Sequence, residues 1–129
     1  MIYIDTSALL RLVFPDDTTA AVERLVDDPD VDLVSSTLIR VEARRGTLRR
    51  APRRLPRVDL LLDRVEVVGI DDAVIESAGR LPGPLLRSLD ALHLATALLI
   101  REDVDALLTY DERLADAARA HGLAVAAPA

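Results

Sequence analysis

Polar and apolar residues alternate along this chain in blocks of two kinds. Five short runs made mostly of Val, Ile, Leu and Ala, at 2–4, 31–35, 65–70, 104–108 and 123–126, have the length and side-chain character of strands. Between them apolar residues recur at three- and four-residue intervals, the spacing of one helix face. Helices are predicted at 8–14, stopped by Pro15, at 18–26, with Val22, Leu25 and Val26 on one side, and at 37–49, capped by Thr37. Pro52 and Pro56 break the chain before a helix at 57–63, and Pro82-Gly83-Pro84 ends one at 71–81. The last two helices cover 88–100 and 112–121, the second closed by Gly122. Strands separated by one or two helices predict a parallel sheet covered on both faces, and right-handed crossovers leave few arrangements of it.

The segment 88–100, SLDALHLATALLI, is apolar on nearly every side, as a buried helix is. Asp90 stands in its first turn, where a lone carboxylate needs a helix N-terminus, a cation or a metal to offset its loss of water. With Ser88 as N-cap, Asp90 would simply complement the helix macrodipole. Glu42 has no such explanation, because it falls among Leu38, Val41 and Leu48 and lies more than a turn inside its helix. Asp5 and Asp111 each follow a strand and precede a helix that they could cap. In a parallel sheet, however, both lie at the carboxyl edge, where open α/β folds bind ligands, and the helices of Glu42 and Asp90 start at that edge. If the strands of Asp5 and Asp111 are neighbours, about 4.8 Å apart, both carboxylates can ligate one cation.

Composition narrows the chemistry. With 129 residues, half of them hydrophobic, the chain reads as one domain spanning 1–129. It has no cysteine and only two histidines, His93 and His121, which removes disulfides, thiolate metal sites and cysteine nucleophiles and leaves oxygen to hold any metal. Every basic residue is arginine, so Schiff-base and P-loop chemistry are excluded. The longest charge-free apolar run, 91–100, is too short to span a bilayer, and no basic leader precedes the acid at position 5. No membrane association is expected, and the chain is read as cytoplasmic. The net charge of −6 hides an asymmetry: from Arg40 to Arg57 eight arginines face one acid, Glu42, which makes that stretch +7 and the remainder −13. Such a run is either solvated surface or a contact for a polyanion or an acidic partner.

Four stretches then resemble a known family. IYIDTSALL at the start, VEARR around Glu42, LDALHLATAL around Asp90 and LLTYDERLADAARAHGL near the end are similar, in order and spacing, to the PIN domain and within it to the VapC-type toxins of bacterial toxin-antitoxin pairs. The resemblance implies a three-layer α/β/α sandwich with a five-stranded parallel sheet in the order 3-2-1-4-5, and a metal-dependent endoribonuclease. It implies that Asp5, Glu42, Asp90 and Asp111 are the catalytic acids, with Asp5, Asp90 and Asp111 as ligands of Mg2+ (or Mn2+) and Glu42 acting directly or through water. Cleavage would leave a 5′-phosphate and a 3′-hydroxyl.

Thr109 matches a hydroxyl often found in the family, Thr6 and Ser7 would cap or support the acids, and Arg40, Arg44, Arg45, Arg49 and Arg50 become candidates for RNA contact. Glu112 is either an auxiliary ligand or an ordinary first-turn acid, and Asp116 reads as solvated surface. His93, three residues after Asp90, is either a hydrogen-bonded core histidine or a partner of the site. The implied partners are a small antitoxin and an RNA substrate, in a homodimer or a toxin-antitoxin hetero-oligomer. Leu9, Leu10, Leu12, Val13 and Phe14 could be core or antitoxin interface. The competing function is a regulatory subunit that binds DNA with a small partner and has little nuclease activity. Receiver domains, haloacid-dehalogenase-type phosphatases and dinucleotide-binding folds fit less well: the chain lacks a late lysine, a second aspartate two residues after Asp5, and a G-x-G-x-x-G motif.

Overall fold

Side chains of a strand point alternately to the two faces of its sheet, so a three-residue strand can serve two cores at once. In the computed structural model, which describes residues 1–129, the strand β1 (Ile2–Ile4) does this at the centre of a five-stranded, wholly parallel sheet. With β2 (Leu33–Ser36), β3 (Val65–Val68), β4 (Ala106–Leu108) and β5 (Val125–Ala126) the order is β3-β2-β1-β4-β5, as the family resemblance implied.

Ile2, Ile4, Leu33, Val65 and Leu108 face one side. They pack with Leu9, Leu12, Val22, Ile39, Val58 and Leu61 from α1 (Thr6–Arg11), α2 (Thr19–Val26), α3 (Leu38–Arg50) and α4 (Leu55–Leu62). Tyr3, Val34 and Leu107 face the other side, against Leu94 and Ala97 of α6 (Ser88–Leu99) and Leu114 and Ala118 of α7 (Glu112–Ala120). The remaining helix, α5 (Asp72–Arg80), packs on α6. Each fully buried Val, Leu or Ile contributes roughly 1.5–3 kcal/mol, so the two cores together outweigh any single polar contact at the rim. Leu9, Leu12 and Val13 belong to the core, while Leu10 and Phe14 pack against it only partly buried. No helix is long and apolar enough to cross a membrane.

Several boundaries differ from expectation for local reasons. Strand pairing is limited by β1, which begins at Ile2 opposite Leu33 and Ala106, so the apolar residues at 31 and 104 precede the ladder. Thr37 makes no capping hydrogen bond; the Leu38 N–H is instead taken by the Ser36 hydroxyl at 3.1 Å. Pro56 lies in the first turn of α4 rather than ahead of it, a position where its missing N–H costs no helical bond, and Pro52 opens a short 3-10 turn at Pro52–Arg54. Gly122 ends α7 with φ of 85°, the left-handed conformation expected of a residue in that place.

Candidate functional site

Register brings the first two acids to one rim. Ile4 pairs with Leu108, and the Asp5 N–H donates to the Leu108 carbonyl at 3.2 Å, so Asp5 and Thr109 leave adjacent strands side by side. Asp5 Oδ1 accepts from the Ala8 N–H at 3.1 Å, capping α1, and from the Ser7 hydroxyl at 2.7 Å, while Oδ2 accepts from the Thr109 hydroxyl at 2.7 Å. Asp111 caps α7 in the same way, its Oδ1 accepting from the Leu114 N–H at 3.0 Å. Capping and a place at the carboxyl edge therefore coincide in both residues instead of competing. Asp5 is 4% exposed, and burial pushes its carboxyl up against the lowering effect of the Ser7, Thr109 and Ala8 hydrogen bonds.

Glu42 comes from the opposite layer. α3 buries Ile39, Ala43, Gly46 and Thr47, whereas Val41 is 60% and Leu48 38% exposed, so the inward face is not the one expected from Leu38, Val41 and Leu48. The reason is close approach to α1: a Cβ on Gly46 would sit 3.4 Å from Leu10 Cδ1, and small residues line that contact. Glu42 lies beside this face, half-buried, and its Oε1 accepts from the Thr6 hydroxyl at 2.8 Å and lies 2.6 Å from His93 Nε2.

Asp90 is the acid that reports on the others. Ser88 is not its cap: α6 begins at Ser88, the N-cap position belongs to Arg87, and no side chain caps the helix. A helix N-terminus alone would hold the Asp90 carboxyl low. Instead it is pushed up, first by burial, then by Asp111 and Asp5, with Glu42 adding and His93 opposing. Asp5, Glu42 and Asp111 thus each lie within electrostatic reach of Asp90.

As the side chains stand, no three acids or histidines of the chain lie close enough together to hold a metal ion. Like charges repel, and Asp5, Glu42 and Asp111 each rest on protein donors. Mg2+ keeps several waters and is held through one or two carboxylates, so an open rim of oxygen ligands suits it, and a cation would offset the repulsion at Asp90. Glu112 is exposed in the first turn of α7, and Asp116 is exposed and paired with Arg119 at 3.6 Å.

A PIN domain profile matches residues 2–120. The chain belongs to the PIN domain family. Over 131 residues it is 40% identical to ribonuclease VapC35 of Mycobacterium tuberculosis, covering 99% of this chain and 97% of that one. A toxin-antitoxin complex from Klebsiella pneumoniae superposes with a TM-score of 0.75 at 20% identity, over 100% of this chain and 98% of that one. The sarcin-ricin-loop-cleaving toxin VapC20 of Mycobacterium tuberculosis superposes with a TM-score of 0.72 at 18% identity, over 95% and 96%.

In this PIN domain the five arginines named from the sequence do not share one face. Arg45 and Arg49 follow Glu42 by three and seven residues and lie on its side of α3, whereas Arg40 and Arg44 lie opposite, where Arg44 pairs with Asp59 at 3.1 Å. Arg50 stacks on the Phe14 ring, 3.8 Å from its centroid, beside Ser7 in a cleft of about 310 Å³. Arg11 borders the same cleft but is neutralised by Asp16. Sequence reasoning missed Tyr3, whose hydroxyl lies 2.8 Å from His93 Nδ1. Its only signal was a polar group in a strand position otherwise filled by aliphatic residues. His93 is 2% exposed and touches Glu42, so the two alternatives open for it are one: it is both core and partner of an acid.

Proposed function

We propose that this PIN domain is a metal-dependent endoribonuclease and the toxin of a toxin-antitoxin pair. The observation that supports the reading is that Asp5 and Thr109 leave adjacent strands side by side at the carboxyl edge of the sheet, and that Asp90, pushed up first by burial, is pushed up further by Asp111, Asp5 and Glu42. The ribonuclease name of its 40% identical relative supports the choice of RNA. Mg2+ or Mn2+, held by Asp5, Asp90 and Asp111, would supply an activated water and offset charge on the scissile phosphate during in-line displacement.

The remaining work falls to the chain's own residues. Ser7 and Thr109 fix the Asp5 carboxylate through both oxygens, and Thr6 fixes Glu42. Arg45, Arg49 and Arg50, free of carboxylate partners, contact RNA phosphates on the side of the acids, which lets a protein of net charge −6 hold a polyanion. A small antitoxin would hold the toxin inactive, in a homodimer or a toxin-antitoxin hetero-oligomer, as the toxin-antitoxin complex among its structural neighbours suggests.

The test is sequencing of RNA ends after expression of wild type and Asp5→Asn. New 5′-phosphate ends with wild type, absent with the variant and suppressed in vitro by chelator, are expected. Equal ends from both, or full cleavage in excess EDTA, would refute the reading and favour a DNA-binding regulatory subunit that does not need Asp5.

A further inference from the structure

Behind Glu42 a chain of hydrogen bonds runs through the sheet into the α6 layer. The Ser36 N–H donates to the Tyr3 hydroxyl at 3.1 Å, so the phenol oxygen is already an acceptor. Tyr3 is fully buried, and its proton, which burial holds on firmly, needs an acceptor of its own. His93 Nδ1, at 2.8 Å, is that acceptor; the two rings meet edge to face at 84°. A neutral imidazole accepting at Nδ1 carries its proton on Nε2, and the group opposite Nε2 at 2.6 Å is Glu42 Oε1. The Thr6 hydroxyl donates to the same oxygen at 2.8 Å. Two protein donors thus converge on Oε1 from two different layers of the fold, α1 and α6.

We infer that His93 is a positioning residue: the Tyr3 hydroxyl selects its Nε2–H tautomer, and His93 with Thr6 turns the Glu42 carboxylate so that Oε1 is occupied by protein and Oε2 is left for the cation or its water. The role of Oε2 rests on the metal-dependent reading above; the tautomer does not. Groups that orient a ligating carboxylate typically change metal affinity by about 10–100-fold when removed. His93→Leu should therefore weaken Mn2+ binding about tenfold or more. His93→Gln, whose amide N–H sits as many bonds from Cα as Nε2 does, should restore most of that loss, whereas a merely space-filling role would favour Leu over Gln.

The experiment uses the full chain labelled with 15N-histidine, with no metal present, and then Mn2+ titration by calorimetry. In the neutral imidazole, His93 should show an unprotonated Nδ1 and a protonated Nε2, and Tyr3→Phe should release that preference and weaken Mn2+ binding in turn. A protonated Nδ1 in wild type, or Mn2+ affinity unchanged in both His93→Leu and Tyr3→Phe, would overturn the inference. Should His93→Leu fail to fold, Tyr3→Phe, which keeps the ring in place, decides alone. No Mn2+ binding by wild type would sink the metal reading itself, while the tautomer signal would still judge the hydrogen-bond chain separately.

Discussion

A carboxyl group whose proton affinity is raised by folding weakens the folded state wherever it is ionised, and Asp90 is such a group. Below about pH 4, the ordinary carboxylate range, the group is protonated in both states and costs nothing. As pH rises through that value toward the raised folded one, the folded state holds more protons than the unfolded, and stability is lost. Asp90→Asn removes the penalty. The metal-free variant should match wild type in acid and be the more stable of the two at neutral pH. Urea unfolding across this range measures the difference, and a gap that does not grow with pH would count against convergence of the acids. Asp5→Asn probes another property. Asn is as good an N-cap as Asp, so α1 should survive while cleavage falls about 100-fold or more. Single-turnover assays beside a circular dichroism spectrum separate the two. At this scale the sequence was readable where a residue's neighbours are local: Asp5 and Asp111 stand next to the helices they cap. It was silent where partners are distant, as with Tyr3 and His93, which are 90 residues apart.

α3 is the element where pattern and packing part ways. Its arginines dominate the sequence, and its large apolar residues Val41 and Leu48 suggested a buried face that is in fact exposed. Helix periodicity is read from bulky residues, but the buried face of α3 holds Ala43, Gly46 and Thr47 beside the single bulky Ile39, and Gly46 lets the helix approach Leu10 of α1 closely. The same rotation divides the arginines. Replacing Arg45 and Arg49 with Gln should lower the slope of log affinity against log salt for RNA by about 2, at about one unit for each phosphate left without its arginine. The matching change at Arg40 and Arg44 should leave it nearly unchanged. Filter-binding titrations at several salt concentrations make the comparison, and equal slopes for the two pairs would return the whole stretch to plain surface.

Across the whole molecule, the alternation of short apolar runs with helical segments was enough to foresee a doubly covered parallel sheet, because such strands are buried on both faces and only a crossover can join them. The strand order came with the family resemblance; β1 was read at its actual ends, whereas β2 and β4 were each begun two residues early, since their starts depend on which residues lie opposite a three-residue β1. If Asp5, Asp90 and Asp111 hold a cation as proposed, and it binds the folded state alone, it would stabilise the domain. At a free concentration about 100 times its Kd the gain is about 2.7 kcal/mol, enough to see as a rise in Tm that Asp5→Asn abolishes. The central claim is that acids from four separate elements grip one divalent ion, and Mn2+ soaked into crystals of the full chain tests it in a single step. One anomalous peak bounded by Asp5, Glu42, Asp90 and Asp111 is expected; a peak elsewhere, or none at saturating Mn2+, would contradict the claim.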